Sequence, residues 1–232
     1  MLALAAAAML AAPVRASEPP LFEAASRRVI LSASFIPVSV AAKAVPLELL
    51  VEEGSGWDAA GVLERVLGKA SAIFGRCGLA LGDARVTTVR WTAEGLRRLN
   101  ASDPYAGPAQ LGVLGDPGLP ARRPIGFLFG ARSVPSTASA YNRSSTAALS
   151  RSHPAAAGLL NTFWITRDQE LRRESDISES YSVFAHELTH LFGDLPHTPE
   201  SPNLMTDAST PGAKSGDLLE AQCVEIRRLY GL

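Results

Sequence analysis

Val45, Leu47, Leu49 and Val51 alternate with Pro46, Glu48, Leu50 and Glu52 before Gly54-Ser55-Gly56. This period of two predicts a strand closed by a glycine turn. The period then changes. Between residues 58 and 74 the apolar positions are Val62, Leu63, Val66, Leu67, Ala70, Ile73 and Phe74, the stripe of a core-facing helix that Gly75 and Gly78 end. Residues 79–81 and 85–91 predict the next strand, and residues 92–99 a short helix. Residues 100–124, rich in Gly and Pro, read as loop. The apolar run 125–129 suits a strand covered on both faces. Residues 133–152, rich in Ser, Ala and Thr and holding Tyr141, read as a surface loop or a weak edge strand. Residues 159–166 predict another strand, centred on Phe163, Trp164 and Ile165.

Farther on, Asp176-Ile177-Ser178-Glu179 has the spacing of a capping box and predicts a helix start. Ile177, Tyr181, Phe184, Leu188 and Leu191 form its buried stripe, while His186 and His190 share another face with Glu179 and Val183. Residues 217–230 predict a C-terminal amphipathic helix. Residues 17–44 read as a lead-in, an extra strand or a surface arm, with an apolar, serine-rich piece at 29–40.

At 232 residues and 47% hydrophobic composition the chain suits one domain, residues 45–232, rather than two. Lys plus Arg (22) nearly balances Asp plus Glu (23), so no global field argues for nucleic acid or an anionic membrane. Residues 1–16 resemble a secretory signal peptide: small and apolar from Leu2 to Ala12, then Val14 and Ala16 before the expected cut, although no basic residue precedes the run. The run is too short to span a bilayer, so no stable membrane insertion is expected. A secreted or periplasmic location follows. In an oxidising compartment Cys77 and Cys223 pair; in a reducing one they are two buried thiols.

The chemistry concentrates in His186-Glu187-Leu188-Thr189-His190-Leu191-Phe192-Gly193-Asp194-Leu195-Pro196-His197. Histidines four apart share a helix face, one turn above the other, and can bind a single ion. Glu187, about 100° farther round, can then reach a water at that ion without becoming a ligand. Two histidines leave such a site one ligand short. Asp194 competes for the role with His197, but in a continued helix it would lie about 12 Å along the axis from His186. Zinc needs every ligand atom about 2 Å away, so a loop histidine at 197 is favoured and Asp194 suits a supporting hydrogen bond. Glu200 and Glu220 are downstream carboxylates that a gluzincin-like site would use instead.

These residues resemble the metzincin zinc peptidases, whose signature is H-E-x-x-H-x-x-G-x-x-H followed by a turn containing methionine. His186, Glu187, His190 and Gly193 match position by position; the last histidine stands one place late, at His197 rather than Pro196. A glycine at 193 with positive φ would let the chain turn back to the metal. Asn203-Leu204-Met205 resembles the Met-turn, with Met205 as the floor beneath the ligands. The resemblance implies an α/β (α+β) fold. Its twisted, mostly parallel five-stranded sheet would have an antiparallel edge strand near Tyr141, packed against an active-site helix, a second long helix and a C-terminal helix. It further implies one catalytic Zn²⁺, Glu187 as general base, and a protein or peptide substrate cleaved by a monomer. A catalytically retired zinc-binding protein on the same scaffold is the alternative from another class. Arg76-Cys77-Gly78 reads as a helix end, and His153 as a surface loop residue.

Overall fold

The computed structural model describes residues 21–32, 43–99, 105, 123–130, 138–170, 181–200, 202–206 and 215–231. Its elements run β1 (Phe22–Ile30), β2 (Lys43–Glu52), α1 (Val62–Gly75), β3 (Leu79–Trp91), α2 (Ala93–Leu99), β4 (Ile125–Phe129), β5 (Ala138–Tyr141), α3 (Arg143–Leu149), a 3₁₀ helix (Pro154–Leu159), β6 (Thr162–Thr166), α4 (Val183–Gly193) and α5 (Glu220–Tyr230). The strands form one mixed sheet in the order β1-β3-β2-β4-β6-β5. The inner four are parallel. Both edges are antiparallel.

The alternation in β2 has the expected result: Val45, Leu47, Leu49 and Val51 are buried in one core cluster, and Leu50 points into the cluster on the other face. The first cluster joins the sheet to α1, α4 and α5 through residues such as Leu63, Leu188 and Ile226. The second joins it to α2 and the 3₁₀ helix through Leu99 and Leu159. Within it, the Phe127 and Trp164 rings stack at 4.3 Å, and Trp164 stacks on Phe129 at 5.3 Å. Helices therefore cover both faces, as a sheet with a parallel centre requires.

Several elements differ from what the residues alone predict. The sheet has six strands, because the lead-in contributes an extra strand, β1, over Phe22–Ile30, while residues 33–40 of its apolar piece lie outside the described residues. This strand is exposed at most positions, so it carries no apolar alternation. It is held instead by its ladder to β3 and by its start, where the Leu21 carbonyl accepts from Thr92 N (3.1 Å) and Thr92 Oγ1 (3.2 Å). Gly95 permits that approach: a Cβ there would meet the Leu21 oxygen at 1.9 Å.

The runs at 79–81 and 85–91 form one strand of 13 residues, as expected. The ladder to β2 resumes on either side of Gly82-Asp83, with a register shift between Val45 and Leu47, and β1 pairs with the strand from Ala84 onward. Part of the Ser/Ala/Thr-rich stretch forms β5 and α3, and the Asn142 side chain caps α3 by accepting from Ser145 N at 2.8 Å.

The site helix α4 starts at Val183, not near 176, with Ser182 as N-cap. The expected capping box at 176–179 lies outside the described residues, as do the signal-peptide segment 1–16 and Ile177. The side chain that organises this start comes from outside the local pattern. Glu170, fully buried, accepts from Ser182 Oγ (2.8 Å) and Phe184 N (2.7 Å). A carboxylate there satisfies an unpaired helix N–H and complements the positive end of the helix dipole.

Phe192 then fastens α4 between α1 and α5, with its ring 4.9 Å from Phe74 and 5.5 Å from Tyr230. A disulfide between Cys77 and Cys223 joins the end of α1 to α5 across 146 residues. No helix among the described residues is long and apolar enough to cross a membrane.

Closing so long a loop stabilises the fold by about 3 to 5 kcal/mol in the chain-entropy account. Cys77→Ser/Cys223→Ser should therefore lose about that much unfolding free energy under non-reducing conditions, read as a lower denaturant midpoint. Wild type measured with a dithiol reductant should fall to the same midpoint.

Candidate metal centre

Helix α4 is packed on nearly every side: of its 11 residues only His190 is not buried. His186 and Glu187 each retain 6% exposure. A backbone this confined leaves the two helix imidazoles little positional freedom. The ligand atoms of His186, His190 and His197 all lie within 4.8 Å of one another, and exposure rises from buried His186 through His190 to His197 at the surface. The ring centroids are 4.9 to 5.1 Å apart. This is the one such group of His, Cys, Asp and Glu among the described residues; neither Glu200 nor Glu220 joins it, and Glu220 instead pairs with Arg227.

Two rings are turned by backbone carbonyls. Nδ1 of His186 lies 2.7 Å from the Leu204 oxygen, and Nδ1 of His190 lies 2.7 Å from the Leu195 oxygen. A carbonyl oxygen only accepts, so each Nδ1 carries the hydrogen and each Nε2 keeps its lone pair. The Nε2 atoms of His186 and His197 are 3.1 Å apart. Two nitrogens bound to one tetrahedral ion at about 2.05 Å would be about 3.3 Å apart, so the donor set fits a metal ion. Burial pushes the His190 imidazole down to about 4, which leaves it neutral and able to ligate at pH 7.

The extra residue before His197 is absorbed by a bend different from the one expected. Gly193 is the last helical residue, and the left-handed conformation belongs to Asp194, at φ 49°. Glycine is needed at 193 for space: a Cβ would meet Leu195 Cγ at 2.5 Å and Ile226 Cγ1 at 3.3 Å. Leu195 then lies against the helix end with its carbonyl on His190, and the chain delivers His197 two residues later.

Asp194 does not join the metal group. Its carboxylate accepts from Ser144 N (3.1 Å) and Ser144 Oγ (2.5 Å), tying the end of α4 to α3. Asn142 adds a second tie, donating from Nδ2 to the His190 carbonyl at 3.1 Å.

Met205 is fully buried in a turn where its N–H bonds Asn203 Oδ1 at 2.7 Å. The turn meets the site through the residues flanking the ligands: Leu204 receives His186, and Thr198 N donates to the Met205 carbonyl at 2.9 Å. The sequence motif gave no sign of Glu170, Asn142 or the Leu195 and Leu204 carbonyls. Their roles rest on backbone or amide groups, or on a carboxylate before the helix, which no spacing rule could identify.

A cleft of about 440 Å³ runs past the metal group between Ser139 and Ala140 of β5 and Glu187, His190 and His197. A larger cavity of about 570 Å³ lies elsewhere on the sheet, beside Arg27, Arg85 and Arg123, and holds none of the motif residues. The convergence of ligands and a carboxylate, not volume, distinguishes the smaller cleft. Tyr141 is buried behind its edge strand, and that burial raises its phenol well above the ordinary range. Exposed His153 faces Tyr105 at 4.9 Å, away from the ligand group.

His197→Ala should lower metal affinity by more than the 10- to 100-fold of about one lost supporting contact, whereas Asp194→Ala should still bind one equivalent. Metal analysis after dialysis against a chelator series distinguishes the two. No family model matches the chain, and no curated protein matches it in sequence.

Proposed function

We propose that this chain is a metzincin-like zinc endopeptidase, exported from the cytoplasm and acting as a monomer on protein or peptide substrates. The observation that carries the proposal is the convergence of His186, His190 and His197 beside the nearly buried Glu187 in one open cleft. Three imidazole donors suit zinc among the available divalent ions. A further coordination position open to water is what separates a catalytic zinc site from a structural one.

A zinc ion held by these residues would supply Lewis acidity toward a carbonyl oxygen and make water more acidic. The remaining work belongs to the chain. Glu187, on the same helix as two ligands, takes the proton of the attacking water and delivers it to the departing amine as the carbon–nitrogen bond breaks. Its low exposure keeps bulk water from competing for that carboxylate. His186 and His190 are kept in the ligating tautomer by the Leu204 and Leu195 carbonyls. β5 is an antiparallel sheet edge bordering the cleft, and an extended peptide could add to it as a further strand.

A retired scaffold would need its three ligands but gain nothing from Glu187. The disulfide supports an oxidising compartment, which agrees with the leader-like residues 1–16. The zincin fold assignment rests on the same set of features: a mixed sheet, a site helix, a methionine turn and a C-terminal helix.

Glu187→Ala should keep one equivalent of zinc and lose about 10²- to 10⁴-fold in peptide cleavage. A library of quenched peptides incubated with wild type and variant reads this directly. Equal cleavage by both proteins would remove Glu187 from the mechanism, and no cleavage by zinc-loaded wild type would favour the retired scaffold.

A further inference from the structure

The His186 ring is oriented by one backbone carbonyl, so what holds Leu204 in place also sets that ligand. Leu204 N donates to the Asp217 carbonyl at 2.7 Å. On its other side, Asn203 Oδ1 accepts from Met205 N at 2.7 Å and shapes the turn. Asn203 is itself held by a reciprocal amide pair: its Nδ2 donates to Gln222 Oε1 at 2.9 Å, and Gln222 Nε2 donates back to Asn203 Oδ1 at 3.2 Å. Gln222 Oε1 also accepts from Leu219 N at 2.8 Å, at the N-cap of α5. Both amides are buried, Asn203 at 1% exposure and Gln222 at 7%. The next residue, Cys223, is bonded to Cys77 at the end of α1.

We propose that Gln222 is a positioning residue of the metal centre, acting through Asn203 and the Leu204 carbonyl to hold His186 with its Nε2 toward the ion. The inference rests on the reading that the three imidazoles bind a metal, but it does not require peptidase activity. The chemistry of the pair explains the role. A side-chain amide offers both a donor and an acceptor, so two facing amides satisfy each other and fix the turn in a buried place where an unpaired polar group would be costly. His190 does not depend on this path, because its carbonyl comes from Leu195 in its own segment. The two helix ligands are thus oriented by independent supports.

That independence makes the test internal to the protein. Gln222→Met keeps a similar side-chain volume and removes the amide. In the full chain, Zn²⁺ titrated against a competing chelator should bind about tenfold more weakly or worse, the scale of a lost supporting partner. In metal-free protein, the Nδ1–H resonance of His186 should broaden through exchange with water while that of His190 persists. Leu63→Ala, a core truncation in α1, should lower thermal stability and leave both resonances and Zn²⁺ affinity in place. Wild-type Zn²⁺ affinity and an unchanged His186 resonance in Gln222→Met would overturn the proposal. So would equal loss of both histidine resonances, or an equal affinity loss in Leu63→Ala. Because the resonance is read without metal or substrate, a wild type that cleaves no peptide refutes the enzyme reading and leaves this one standing.

Discussion

The structure depends on one requirement: three imidazoles must present lone pairs to the same small volume. An imidazole has two nitrogens and free rotation about two bonds, so proximity alone does not achieve this. Here the unused nitrogen of two rings is bound by a carbonyl, Leu204 for His186 and Leu195 for His190. Those two bonds fix both the ring direction and the tautomer. The rest of the fold serves to keep the two carbonyls and the one helix in register.

The helix is held from all sides. Glu170 satisfies its first turn, Phe192 fastens its end between two other helices, and Asn142 takes up a carbonyl at its last turn. The carbonyls are held by separate devices. Leu195 belongs to the bend that Gly193 and Asp194 make possible. Leu204 belongs to the methionine turn, which α5 holds through an amide pair beside the disulfide. Rigidity is concentrated on the buried side. His197 completes the group from the exposed side, beside the cleft it shares with β5.

Asp194 shows how a residue with ligand chemistry can be turned to another use. Next to Gly193 it is close enough in sequence to be considered for the metal, yet its left-handed backbone aims the carboxylate at Ser144. Two hydrogen bonds there join the end of the site helix to the helix that follows β5. Rather than acting as a ligand, the residue helps set where the edge strand stands relative to the histidines.

Much of this was legible from residue order. The alternation around Val45, the stripe from Leu63 to Phe74 and the spacing of His186, Glu187 and His190 are periodic signals, and periodicity of backbone geometry alone turns them into a strand, a helix and a pair of ligands on one face. Preferring His197 to Asp194 was also accessible, since a continued helix would have carried Asp194 away; in the fold, where the helix stops at Gly193, the left-handed bend toward Ser144 keeps it out of the group. Other features had no local signal. β1 is a strand because β3 offers it a ladder, not because its own polar and apolar residues alternate. The start of α4 is decided by Glu170, 12 residues before Ser182. Gly193 was expected to supply a turn but supplies space, a distinction visible only once Leu195 and Ile226 are packed against it. The sequence by itself determined which side chains carry imidazole and carboxylate chemistry. Tertiary structure decided how they point, because their orientation depends on carbonyls and amides that every sequence contains and only a folded chain brings to them.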